Sequence, residues 1–278
     1  MTMQFRSVIS GTMMAVAAVA GTAEAQSASA EAVFEAMRLG DILEIMQSEG
    51  LEYADEIAAT MFADQPAQDW DESVADIYDY DRLKALILED FGAAIDATAA
   101  AETLAFFEAE PGPTIVRLEV EARMAMIDDA IEEASNEIAA MAMRDETPRF
   151  ELISRFVEVN DLIETNVVGA LNSNYAFYEG LAAGGGMPQE MTEDQLLSLV
   201  WSQEPDIRTS TTEWVFSYLL LAYQPLDDAD IESYIAFSET ASGQMLNRAL
   251  FEGFDNMFVQ ISRDLGTAAA KELSAASL

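Results

Sequence analysis

The chain of 278 residues has no cysteine and no histidine. Without thiols it forms no disulfide, so packing alone holds the fold even in an oxidising compartment. Without imidazole or thiolate, the Ser-His-Asp and Cys-His nucleophile systems are excluded, as is every zinc site built on those ligands. Basic residues are scarce, 13 against 51 acidic, which gives a formal net charge of −38. A field of that sign repels phosphate backbones and anionic lipid surfaces, so the sequence argues against nucleic-acid binding and peripheral membrane binding. Alternating β-branched runs are also missing, and with them the usual signature of strands.

What is present begins with an export signal. Arg6 precedes an apolar stretch from Val8 to Gly21, and Ala23-Glu24-Ala25 supplies the small-x-small pattern of a signal-peptidase site. Residues 1–25 therefore read as a signal peptide cleaved after Ala25. The apolar stretch falls short of the ~20 residues that cross a bilayer, and no later segment reaches that length, so no membrane insertion is expected. No cysteine is available for lipidation and no Arg-Arg pair marks the twin-arginine route. The expected location is the periplasm or the outside of the cell.

Apolar residues recur at helical spacing, as in Ile42, Ile45 and Met46, or Ile115, Leu118, Ala122 and Met126. Breakers at Gly40, Gly50, Pro66, Pro111-Gly112-Pro113, Pro148, Gly184 to Pro188, Pro205 and Pro225 divide the chain into about ten helices. The expected fold is all-α, with two tandem related multi-helix halves, 26–149 and 150–265, packed as a helical bundle or short solenoid. Residues 266–278 read as a C-terminal tail.

The two halves are suggested by internal similarity. Residues 39–44 match 159–164 at an offset of 120, with Asp41 and Glu44 facing Asp161 and Glu164 as two N-caps with capping-box partners. Residues 95–128 align without gaps with 226–259 at an offset of 131. Identical there are Asp96, Ala105, Phe106, Glu108, Gly112, Arg117, Glu121 and Met126. The change of offset implies an 11-residue insertion, expected between Gly184 and Glu204. The shared unit, Phe106-x-Glu108-x3-Gly112-x4-Arg117-x3-Glu121 and its copy from Phe237 to Glu252, describes a helix hairpin. In it Phe106 faces the core, Gly112 supplies a left-handed cap, and Arg117 pairs with Glu121 one turn on.

No catalytic residue, metal ligand or cofactor motif emerges. The acidic runs 69–81 and 227–230 lack the EF-hand pattern, and Gly184-Gly185-Gly186 lacks the Lys and Ser or Thr of a phosphate loop and reads as a flexible connection. Met124-x-Met126 and Met141-x-Met143 hold thioethers two residues apart, which point to different helix faces and cannot close on one ion. The candidate ligand-binding residues are polar groups set among aromatics on one helix, Asn166, Asn174, Tyr175 and Tyr178, together with the duplicated Arg117 and Arg248.

The Phe-x-Glu-x3-Gly hairpin, the run Asn174-Tyr175-Ala176-Phe177-Tyr178 and Glu213-Trp214-x3-Tyr218-x4-Tyr223 resemble exported alphaproteobacterial proteins carrying domain of unknown function 2059. The resemblance implies a helical periplasmic protein and carries no activity, cofactor or functional residue with it. The leading functional expectation is a non-enzymatic binding or interaction module of the cell envelope, with an unknown protein or small-molecule partner. The alternatives are a carboxylate-dependent hydrolase of envelope glycans and a divalent-cation binding protein.

Overall fold

The computed structural model of the protein describes residues 29–62, 69–187 and 191–275. Residues 1–25, read above as a signal peptide, lie outside the described residues. Thirteen helices and no strand are found among the described residues. They are α1 (29–36), α2 (Leu39–Met61), α3 (Trp70–Ile77), α4 (Tyr80–Ala94), α5 (Ala97–Phe107), α6 (Gly112–Ala125) and α7 (Asp129–Arg144). There follow α8 (Pro148–Val159), α9 (Leu162–Ala183), α10 (Glu193–Trp201), α11 (Glu204–Ala222), α12 (Asp228–Ser238) and α13 (Ala241–Ala275). The all-α expectation holds. The count exceeds ten because two-residue turns, such as 37–38 and 160–161, divide segments without any Gly or Pro.

One continuous apolar core runs through both ends of the chain, from Phe34 and Leu43 to Leu265 and Ala269. The 35-residue α13 is its axis, lying along α9 and reaching back to α4 and α5. Close approach of α9 and α13 depends on glycine. A Cβ on Gly180 would stand 2.2 Å from the carbonyl oxygen of Arg263, and one on Gly266 would stand 2.1 Å from that of Phe177. Residues 266–275 are no separate tail. They continue α13, with Ala269 and Ala270 fully buried.

Helix bounds recur along the chain. The starts of α2 and α9, and those of α3 and α10, are displaced by 123 residues, and α5 and α12 are displaced by 131 at both ends. None of these displacements equals the offset of 120 read in the sequence, and the change from 123 to 131 falls across α11, with 19 residues against 15 in α4, and the segment after it. Phe106 and Phe237, also 131 apart, stack face to face with centroids 4.5 Å apart. A displacement of 131 sets the single helix α13 against α6 and α7 together, which are broken at 126–128 where Asp128 caps α7 by accepting from Ala130 N–H.

Three local expectations are corrected. Neither Asp41 nor Asp161 is an N-cap with a capping box. Asp41 sits inside α2 and pairs with Arg38, whereas Asp161, like Arg38, adopts left-handed backbone (φ 50° and 52°) with no side-chain cap. Carbonyls of the preceding helices, Glu35 and Glu158, already accept the N–H groups of Arg38 and Asp161. Gly112 is no left-handed cap either. It opens α6, and a Cβ there would lie 2.3 Å from the Phe106 carbonyl oxygen, as one on Gly243 would lie 2.2 Å from that of Phe237. The glycine run after α9 is packed, not a loose connection. Gly185 takes φ +77° and Gly186 N–H donates to Leu181 O at 2.9 Å, the bond of a Schellman ending, while Gly184 and Gly186 lie against Ala270.

Candidate functional site

Among the described residues an open groove lies between α7, α9 and α11. Its wider part, about 640 Å³, is lined by Asp129, Glu132, Glu133, Asn136, Glu137, Ala139 and Met143 of α7, facing Glu213, Phe216 and Ser217 of α11. Its narrower part, about 450 Å³, continues past Glu132, Asn136 and Glu213 to Asn166 and Ala170 of α9 and to Ser210, Thr211 and Trp214 of α11. The α7 wall follows from sequence spacing, since residues 132, 136, 139 and 143 recur every three or four positions and share one face.

Hydrogen bonds and stacked rings form the floor. Ser217 Oγ lies 2.6 Å from Asn136 Oδ1 and 2.7 Å from the Glu213 carbonyl oxygen, which share its single proton. Trp214 stacks on Tyr218 with centroids 5.1 Å apart, and the Arg123 guanidinium lies 5.0 Å from the Trp214 ring. Arg123 is itself held by Glu49 at 2.5 Å. Burial raises the Glu49 carboxyl above its ordinary value, an effect that the positive charge of Arg123 opposes. Beneath Tyr218 lies Glu119, whose carboxylate accepts from Tyr223 O–H at 2.5 Å. Burial pushes Glu119 up to about 7, against the lowering effect of that hydrogen bond. The phenols of Tyr218, Tyr223 and Tyr234 are raised well above their ordinary range, by burial first and then by the charge of Glu119. Glu119 as a whole residue keeps some accessibility, whereas its carboxyl sits among these phenols. Neither Glu49 nor Glu119 lines the groove.

Cations are few, so most acidic side chains among the described residues make no ion pair, those of the groove included. Of the twelve basic side chains in the described residues, ten hold a carboxylate, and only Arg155 and Arg248 make no ion pair there. None of those pairs reaches Asp129, Glu132, Glu133, Glu137 or Glu213. The five carboxylates of the groove are uncompensated. Among the described residues, no three acidic side chains are grouped to hold a metal ion, and no helix is long and apolar enough to cross a membrane.

The residues singled out from the sequence do not gather in one place. Asn166 reaches the narrow part of the groove, exposed, with its amide donating to Leu162 O at 2.7 Å. Asn174 instead donates to Gln203 Oε1 at 2.8 Å, tying α9 to the start of α11. Tyr175 and Tyr178 pack on a small apolar cluster of Val167, Leu171 and Val200. Arg117 pairs with Glu121 at 2.7 Å on the surface of α6, and Arg248 lies exposed on α13 without the matching pair to Glu252. No hydrogen bond or ion pair joins either arginine to α9. The thioether pairs diverge as expected, with Met124 56% exposed and Met126 buried. The sequence reading missed the α7 wall and its partners Glu213, Phe216 and Ser217. A usable signal was present in α7, whose apolar arc of Ile131, Ala134, Ile138, Ala139 and Met141 is wider than one contact with α11 can cover.

Compared with known proteins, the chain matches no family model, no curated protein and no solved structure.

Proposed function

We propose that the protein is a non-enzymatic binding module of the cell envelope, exported by its N-terminal signal, that engages a partner through the groove between α7, α9 and α11. The carrying observation is the concavity itself, about 640 Å³ in its wider part, which gathers five carboxylates on facing walls with no cation among its lining residues. Clustered like charges cost stability, which an external basic partner would recover. The all-helical scaffold agrees with the helical periplasmic protein that the resemblance to domain of unknown function 2059 implies.

The hydrolase reading has one observation in its favour, the pair Glu132 and Glu213 facing one groove beside Trp214. The carboxyl shifted furthest towards general-acid range, Glu119, is enclosed by tyrosines outside the groove, which weighs against it. The cation-binding reading lacks convergent ligands among the described residues. The test is site-specific photo-cross-linking from Ser210 in the groove and from Arg248, exposed on α13 outside the groove, in cells that export the protein. A defined adduct from position 210 and none from 248 supports the reading. Equal labelling from both positions, or from neither, contradicts it.

A further inference from the structure

A stack of aromatic rings leads from the groove to a buried carboxyl that partner binding does not use. Trp214, partly exposed in the narrow part of the groove, lies ring on ring with Tyr218, at 5.1 Å between centroids and 11° between planes. Tyr218 O–H donates to the Glu119 carbonyl oxygen at 3.1 Å, and Tyr223 O–H donates to the Glu119 carboxylate at 2.5 Å. Tyr223 is 1% exposed. Glu119 thus joins both phenols, and the rings connect an indole that meets solvent to a phenol that does not. Past Tyr223 the ring contacts run to Tyr234 and then only to Phe106, Phe107 and Phe156.

In a chain without thiols, indoles and phenols are the side chains that most easily lose one electron. A phenol gives up its electron readily only when its proton leaves with it, so the proton acceptor decides where an electron vacancy settles. The backbone carbonyl that faces Tyr218 takes no proton in neutral water, so Tyr218 relays charge without holding it. The carboxylate that faces Tyr223 takes the phenol proton within an existing hydrogen bond. Charge is graded in the same direction. The Arg123 guanidinium, 5.0 Å from the Trp214 ring, makes a positive charge on the indole costly, whereas Glu119 favours one on the inner phenols. The phenylalanines beyond have no acidic proton to release and end the path. We propose that the protein takes up strong one-electron oxidants, oxygen-centred or inorganic radicals, with Trp214 as entry, Tyr218 as bridge, Tyr223 as terminus and Glu119 as proton acceptor. The oxidant removes one electron from Trp214 and leaves an indole radical cation. An electron from Tyr223 refills it through Tyr218 while the Tyr223 O–H proton moves to the Glu119 carboxylate. The products are neutral Trp214, a neutral Tyr223 phenoxyl radical and a protonated Glu119. This activity stands apart from the binding-module reading, which uses the groove carboxylates and not these rings.

The test is pulse radiolysis of the full chain with azide radical, which oxidises accessible indoles, at about pH 8, where Glu119, raised to about 7, is ionised. Trp201, 63% exposed, is replaced by Phe in every sample, which leaves Trp214 and the buried Trp70. The expected record is a tryptophanyl absorbance that decays as a tyrosyl absorbance grows, at a rate independent of protein concentration. Trp214→Phe should abolish the initial tryptophanyl signal. Tyr223→Phe and Glu119→Gln should each slow the conversion by about tenfold or more, whereas Tyr53→Phe, a change to an exposed phenol, should leave it unchanged. Circular dichroism checks that each variant is folded, and Glu119→Gln, which keeps the oxygen that accepts from Tyr223, carries the test should Tyr223→Phe fail to fold. No growth of tyrosyl absorbance, growth that scales with protein concentration, or an unchanged rate in folded Tyr223→Phe or in Glu119→Gln overturns the proposal and leaves the rings as core packing. None of these outcomes depends on cross-linking from Ser210, so the binding-module reading stands or falls separately.

Discussion

Glu119→Gln is the sharpest perturbation of the core. In the folded protein the Glu119 carboxyl, buried among Tyr218, Tyr223 and Tyr234, keeps its proton up to about pH 7, whereas in the unfolded chain it is released near 4.5. Across that interval the folded state binds more protons than the unfolded one. The stability conferred by the neutral form is therefore complete below pH 4.5 and is lost as pH rises through 7. At 1.36 kcal/mol per pH unit, the shift corresponds to a loss on the order of 3 kcal/mol by pH 8. Glutamine is neutral throughout and keeps an oxygen to accept from Tyr223 O–H. The variant should match wild type within about 1 kcal/mol at pH 5 and exceed it by roughly 2–3 kcal/mol at pH 8. Urea unfolding followed by tryptophan fluorescence at half-unit steps between pH 5 and 8 reads this directly, and the difference between the two proteins removes the general effect of the other carboxylates. Parallel stability curves would refute the assignment of a raised carboxyl at Glu119.

Other substitutions probe the packing and the surface. Gly266→Ala drives a Cβ into the Phe177 carbonyl and should cost about 3 kcal/mol or more, lowering the thermal midpoint sharply. Thr103→Val removes a fully buried hydroxyl that has no hydrogen-bond partner, and chemical denaturation should show a gain on the order of 1 kcal/mol. Arg123→Ala leaves Glu49 half-buried without its cation and strips the guanidinium from Trp214, at a cost of about 2 kcal/mol or more. Arg117→Ala, which breaks an exposed pair, should stay within about 0.5 kcal/mol of wild type in the same assay.

The fold class was legible because period 3.6 and the lack of alternating runs are local properties of the chain. The pairing of Arg117 with Glu121 and the divergence of Met124 from Met126 were legible for the same reason, since both follow from helical spacing. The hairpin glycine was found, but its role was misassigned. A left-handed cap and a close backbone approach both select Gly, and only the helix crossing, with Phe106 O 2.3 Å from a Cβ on Gly112, tells them apart. Asp161 and Asp41 looked like caps because the sequence does not show that α8 runs almost directly into α9 and α1 into α2, which satisfies those donors from the preceding turn. The groove was hidden for a different reason. Its walls come from residues about 80 positions apart, as in the bond between Ser217 and Asn136, and no local pattern records that meeting. Of the candidates on α9, Asn174 and the tyrosines turned out to bond and pack within the fold, and Asn166 alone faces the groove.

The central claim, an open acidic groove walled by α7 and α11 with Met143 in its lining, is tested most directly by methionine oxidation resolved by peptide mass spectrometry. Met124, Met141 and Met143 are 56%, 47% and 38% exposed, whereas Met126 and Met257 are 5% and 0% exposed. The account predicts fast oxidation of the first three and slow oxidation of the last two. Oxidation of Met143 as slow as that of Met126 or Met257 would contradict it.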